Sequence, residues 1–194
     1  MTSKSLEIKL LYYSNQGREV SFTDISQGKD SLDLENYESE NFWATMGGFE
    51  ITIDGHLTIF HSSDFHYLVK ATSFLIHSLY WIKNETSDWF DKDDEFPKDV
   101  IIKSTGGNII RLTSINENEL SFSYSHASKD HINVRGDRFF EGFTINKTEW
   151  FKQADLALDE YFIQLRKVIA QSEKPNRINE TMHEYYQVWT KTRF

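Results

Sequence analysis

The chain has 194 residues, enough apolar content (39%) for one hydrophobic core, and a net charge of −9. That charge argues against binding nucleic acid phosphates, and the absence of cysteine excludes disulfides, thiolate chemistry and cysteine-ligated metals. Met1 to Glu7 lack the apolar core of a signal peptide, so the reading is a cytoplasmic protein, with a single domain over 1–175 and a tail over 176–194.

Leu6 to Tyr13 alternate as a strand, Asn15-Gln16-Gly17 make a turn, and Val20 to Phe22 begin a second strand. Residues 25 to 46 show no clear period and read as a long loop with one short helical turn. Phe49, Ile51, Leu57 and Ile59 mark a hairpin turning at Asp54-Gly55. A glycine-bulge turn pairs Ile51 with Leu57 and Phe49 with Ile59, giving one wholly apolar face, and is the preferred register. A two-residue turn would pair Ile53 with His56 instead.

Ser62, Ser63 or Asp64 can then cap a helix reaching Lys83, roughly 30 Å long. Its stripe is Phe65, Leu68, Val69, Thr72, Leu75, Ile76, Leu79 and Ile82. His66, Lys70 and His77 interrupt the apolar run, so it is not read as a membrane span.

Val100 to Lys103, Asn108 to Leu112 and Leu120 to Tyr124 read as three further strands, with turns at Gly106-Gly107 and Asn116 to Glu119. Ile132 to Val134 and Phe139 to Ile145 give one or two more. Asn146, with Glu149 three residues on, opens a second long helix striped by Phe151, Ala154, Leu158, Tyr161, Phe162, Leu165, Val168 and Ile169. Residues 176 to 194 hold a short aromatic helix with Met182, Tyr185, Tyr186 and Trp189, which packs on its own core or on a second copy. Turns this short do not allow parallel crossovers. The expected fold is therefore α+β, one antiparallel sheet of six to eight strands with two long helices on one face.

No motif names a reaction. His61 and His66 lie five apart across a strand–helix junction, and His126 and His131 flank a turn, but neither pair has the spacing of a zinc helix. Asp91, Asp93 and Asp94 resemble the start of a calcium loop. The required glycine and closing glutamate are replaced by Phe96 and Ile102. Arg135-Gly136-Asp137 reads as a tight turn, and the sequons at Asn84, Asn146 and Asn179 are idle without export. No metal or cofactor is assigned.

The unusual feature is local acidity. Asp30, Asp33, Glu35, Glu38 and Glu40 form a run with no positive charge, beside Tyr37, Phe42 and Trp43. Glu85, Asp88, Asp91, Asp93, Asp94, Glu95 and Asp99 face only Lys92 and Lys98, and enclose Trp89, Phe90 and Phe96. These two segments account for the whole net charge of −9. Such aromatics can simply clip long loops to the core. Alternatively, aromatic anchors inside an acidic rim form a surface for a basic protein. On that second reading the binding residues are Glu35, Glu38, Glu40, Trp43, Asp88, Trp89, Phe90, Asp91, Asp93 and Asp94.

The run Gly48-Phe-Glu-Ile-Thr-Ile-Asp-Gly-His-Leu-Thr-Ile-Phe, then Phe65 to Trp81, the strands, and Trp150 to Val168 resemble small bacterial immunity-like proteins of contact-dependent and polymorphic toxin systems. The resemblance spans about residues 49 to 169 as an order of elements. It implies a cytoplasmic binder that blocks one toxin, and it supplies no functional residues. The sequence thus points to a non-enzymatic acidic binder of a basic partner. The alternatives are a metal- or small-ligand hydrolase using His61 and His66, and a phage-type inhibitor mimicking nucleic acid.

Overall fold

The computed structural model describes residues 5–14, 16–32, 46–60, 68–83, 98–128, 139–171, 184 and 186–191. The elements run β1 (Leu6–Tyr13), β2 (Glu19–Ser21), α1 (Phe22–Ser26), β3 (Gly47–Ile53), β4 (His56–Phe60), α2 (Leu68–Ile82), β5 (Asp99–Lys103), β6 (Asn108–Ser114), β7 (Glu119–His126), β8 (Phe140–Asn146) and α3 (Lys147–Gln171). Residues 186–191 are also helical.

The single sheet of six to eight strands is not what forms. Among the described residues the strands divide into two antiparallel sheets, ordered β2-β1-β3-β4 and β5-β6-β7-β8. Each sheet is built from pairings within one stretch of chain, and the chain crosses from one to the other through α2. Where the sheets approach, they meet by side chains: His56 of β4 lies 5.0 Å from Phe143 of β8, ring to ring. β8 carries a bulge, with Gly142 at φ 77 and a register shift opposite Phe122 and Tyr124. A bulge re-aims an edge strand and breaks the regular row of backbone groups that a further strand would need.

The β3–β4 hairpin also differs from the preferred register. Ile53 pairs with His56, Ile51 with Thr58 and Phe49 with Phe60. Both turn residues take positive φ, Asp54 at 48 and Gly55 at 80, the geometry of a two-residue turn whose twist matches the strands. Asp54 is held from outside the hairpin: its N–H donates to the Ser5 carbonyl, and its Oδ1 accepts the Ser5 N–H, each at 3.0 Å. Turn chemistry and this clamp prevail over apolar matching. As a result the fully buried Thr58 stands opposite Ile51.

Strand alternation otherwise holds. In β6 and β7, Ile110, Leu112, Leu120, Phe122 and Tyr124 are buried, while Arg111, Ser121, Ser123 and Ser125 are not. The helices cover these buried faces. Phe74 of α2 stacks on Phe49 at 5.8 Å, and Trp150 of α3 meets Phe122 at 5.9 Å. Further along α3, Tyr161 packs edge-on against Phe22, which touches Tyr12 of β1. One hydrophobic cluster therefore draws on both sheets and both long helices. The buried Trp150 indole donates to Ser78 Oγ at 2.8 Å, and Ser78 donates to the Leu75 carbonyl, so the core satisfies its polar tip.

Helix starts follow their caps. Ser21 Oγ accepts the Asp24 N–H and turns the second strand into α1 at Phe22. Asn146 Oδ1 accepts the Thr148 N–H at 2.8 Å and opens α3, while Glu149 accepts from Gln153. The described tail residues pack on this chain's core, where Trp189 is buried and stacks on Phe162 at 4.9 Å, while Met182 and Tyr185 lie outside the described residues.

Candidate partner surface

All ten residues assigned to the acidic surface lie outside the described residues: Glu35, Glu38, Glu40, Trp43, Asp88, Trp89, Phe90, Asp91, Asp93 and Asp94. So do His61, His66, His131 and the Arg135-Gly136-Asp137 tripeptide. What the structure does give is the frame from which both acidic segments depart.

The first carboxylate of the leading segment is bound at its root. Arg18, in the turn after β1, grips Asp30 with both guanidinium nitrogens at 2.8 Å, the forked geometry that suits arginine to carboxylate. The Ser31 N–H adds a third donor. The Arg18 hydrogen bonds and then the Ser31 N–H hold the Asp30 carboxyl below the usual carboxylate range. The return end is fixed at the same corner. The Tyr13 N–H donates to the Met46 carbonyl, and the Ser14 N–H donates to the Arg18 carbonyl, both at 2.8 Å. Tyr13 and Met46 are exposed here, at 38% and 43%. Next to them Gly47 runs so close to Leu11 and Leu68 that a Cβ would lie 2.5 Å from the Leu11 carbonyl oxygen. This contact places the corner beside the described start of α2.

The second segment is rooted elsewhere. It leaves after Lys83, whose ammonium sits 5.4 Å above the Phe151 ring, and re-enters at Lys98 and Asp99. Asp99 is paired with Arg111 across the β5–β6 ladder. The departure point and the Tyr13–Met46 corner thus lie at opposite ends of the described α2, about 22 Å apart along its axis. The expectation that the two segments merge into one patch falls on residues outside the description.

Sequence reasoning missed both arginine partners. Each stands twelve residues from its aspartate, beyond the segment over which charge was counted. It also missed an acidic corner assembled from three elements. Thr23 of α1 donates to Glu160 of α3 at 2.6 Å, with Asp159, Asp24 and Glu7 of β1 nearby. Burial pushes the Glu160 carboxyl up, the Thr23 hydrogen bond opposes it, and the neighbouring carboxylates add to the rise. Glu7 has its own counter-ion in Lys9, which also reaches Glu50.

The described histidines have structural surroundings. His77 is partly buried in α2, and burial lowers its pKa to about 4, leaving it neutral at pH 7. The His126 ring bridges the Gly106 carbonyl and the Ser128 N–H, tying the β5–β6 turn to the end of β7. Among the described residues no three of His, Asp and Glu gather as a metal site. Among them, too, no helix is long and apolar enough to cross a membrane. Comparisons with family models, curated proteins and solved structures find no match to this chain.

Proposed function

We propose that the chain is a non-enzymatic acidic binding protein that acts in the cytoplasm and neutralises a basic protein, in the manner of an immunity protein set against a toxin. The observation that supports this reading is the placement of charge. The scaffold matches the outermost carboxylate of each acidic segment with an arginine, Asp30 with Arg18 and Asp99 with Arg111. Along the sequence the two segments carry twelve carboxylates, next to Trp43, Trp89 and Phe90, and only two cations, Lys92 and Lys98. Carboxylates of this kind repel one another, and the lysines and arginines of a partner relieve that repulsion. The partner site consists of Glu35, Glu38, Glu40, Trp43, Asp88, Trp89, Phe90, Asp91, Asp93 and Asp94, with the aromatics as anchors and the carboxylates as rim.

The test begins with affinity capture of a basic protein encoded beside this chain, followed by kinetic binding measurements. Reversing Asp91, Asp93 and Asp94 to lysine should slow association and flatten its salt dependence, because rim charges act on the on-rate. Trp89→Ala should instead speed dissociation, by about 30-fold for an anchor of about 2 kcal/mol. Unchanged binding of the charge-reversed chain at low salt would place the site elsewhere. Recovery of no protein partner would sink the reading altogether.

A further inference from the structure

The outward side of α3 carries apolar residues that the core does not use. At 3.6 residues per turn, Ala154, Leu158, Tyr161 and Leu165 share the buried side of the helix. Leu156 and Ile163 stand on the opposite side, 50% and 45% exposed, one heptad or about 10 Å apart along the axis. Asp159 and Glu160 lie between them, and the exposed Lys152 and Lys167 lie beyond each. The face thus reads cation, apolar, acidic pair, apolar, cation. It joins the root of the leading acidic segment through α1. Thr23 of α1 donates to Glu160 at 2.6 Å. The carbonyl of the next residue, Asp24, accepts the Lys29 N–H at 2.8 Å and the Asp30 N–H at 3.3 Å. Asp30 is where that segment departs.

The order of charges decides which occupant fits this face. A second copy seated antiparallel, with Leu156 against Ile163 in both directions, has its twofold axis between positions 159 and 160. Asp159 of each copy then faces Glu160 of the other, and Lys152 faces Lys167. A parallel twofold pairing sets each residue beside its own copy, so like charges meet again. Like charges brought together across an interface reject the wrong partner. A basic protein meets no such conflict when it sets lysine or arginine against Asp159 and Glu160 and apolar side chains against Leu156 and Ile163.

We propose that the surface for the basic partner extends from the leading acidic segment across α1 onto the outward face of α3, where Leu156 and Ile163 are its apolar anchors and Asp159 and Glu160 its charge contacts. This inference rests on the reading of the chain as a binder of a basic protein. It adds to the site a rigid helical part, carried by the longest helix of the scaffold. Apolar anchors beside a charged rim are the arrangement in which a few side chains carry most of the binding energy.

Kinetic binding measurements on the full-length chain and the captured basic protein test this. Leu156→Ser and Ile163→Ser should each speed dissociation about fivefold or more, as loss of an anchor does. Asp159→Lys should slow association severalfold at low salt. Ile115→Ser, at an equally exposed residue of the β6–β7 turn (52%), should leave both rates unchanged. Unchanged melting temperatures show that these surface variants fold. If Trp89→Ala speeds dissociation and neither Leu156→Ser nor Ile163→Ser does, the inference fails and the proposed function stands. If no basic protein is recovered, both fail. An effect of Ile115→Ser as large as that of Leu156→Ser would overturn the inference, because the α3 face would then be no different from any exposed apolar residue. Sedimentation equilibrium of the unmodified chain reads the other occupant: a dimer that Ile163→Ser dissolves would make the face a self-contact and overturn the inference as well.

Discussion

His77 makes a quantitative demand on the fold. Burial in α2 lowers its pKa from 6.5 to about 4, so the folded chain resists a proton that the unfolded chain accepts. The stability this implies is fully present above pH 6.5 and is lost as pH falls from 6.5 towards about 4. At about 1.4 kcal/mol for each unit of pH, that interval sets a ceiling of about 3.4 kcal/mol. The ring is only partly buried, so water screens part of the penalty, and a loss of about 1–2 kcal/mol is expected. His77→Gln keeps a good helix former and removes the titration. Urea denaturation followed by circular dichroism, on both proteins from pH 7.5 to pH 4.5, isolates the effect from the carboxylates common to both. The variant should match the parent within a few tenths of a kcal/mol at pH 7.5 and exceed it by about 1–2 kcal/mol at pH 4.5. A difference that stays flat across this range, or an NMR titration of His77 near 6.5, would refute the burial argument.

The remaining predictions rest on other described groups. Glu160→Gln should stabilise the protein at pH 7, because the folded carboxyl binds its proton more tightly than the unfolded one; the gain should shrink as pH falls through the carboxylate range, and denaturant melts at pH 7 and at mildly acidic pH read this. Thr58→Val replaces a buried hydroxyl that has no hydrogen-bond partner among the described residues by a methyl group of the same shape, and should raise stability by about 1 kcal/mol; a melting temperature that falls would show that the hydroxyl is satisfied. Arg18→Ala should move the Asp30 titration upward, towards the ordinary carboxylate range, with the Ser31 N–H still opposing the rise; a carboxyl-carbon NMR titration reads this directly.

Periodicity made most of the elements legible. β1 was readable from the alternation of Leu6, Ile8, Leu10 and Tyr12, and α3 from its cap at Asn146 and its stripe through Leu165. The division into two sheets was not, because alternation records that a strand has one buried face and says nothing of which edges join. The register at Asp54-Gly55 was misjudged because apolar matching of Ile51 with Leu57 ignored the clamp from Ser5, forty-nine residues away. The acidic corner around Glu160 left no local trace, since β1, α1 and α3 each contribute separately. The charge of the two acidic segments was plain in the sequence. Their root partners Arg18 and Arg111 were not, because a count along a segment cannot see across a turn.

The corner formed by Tyr13, Arg18, Asp30 and Met46 has a consequence for how this chain can change. It closes the mouth of residues 33–45 with fixed main-chain and ion-pair contacts, so the span that any intervening sequence must bridge is set by the scaffold. Closure entropy grows slowly with length, by about 0.6 kcal/mol for each doubling. A sequence of altered length at 33–45 therefore meets the same two anchor points, at a closure cost that changes only slowly. The corner thus separates what changes between the anchors from what the two sheets require of their own sequence.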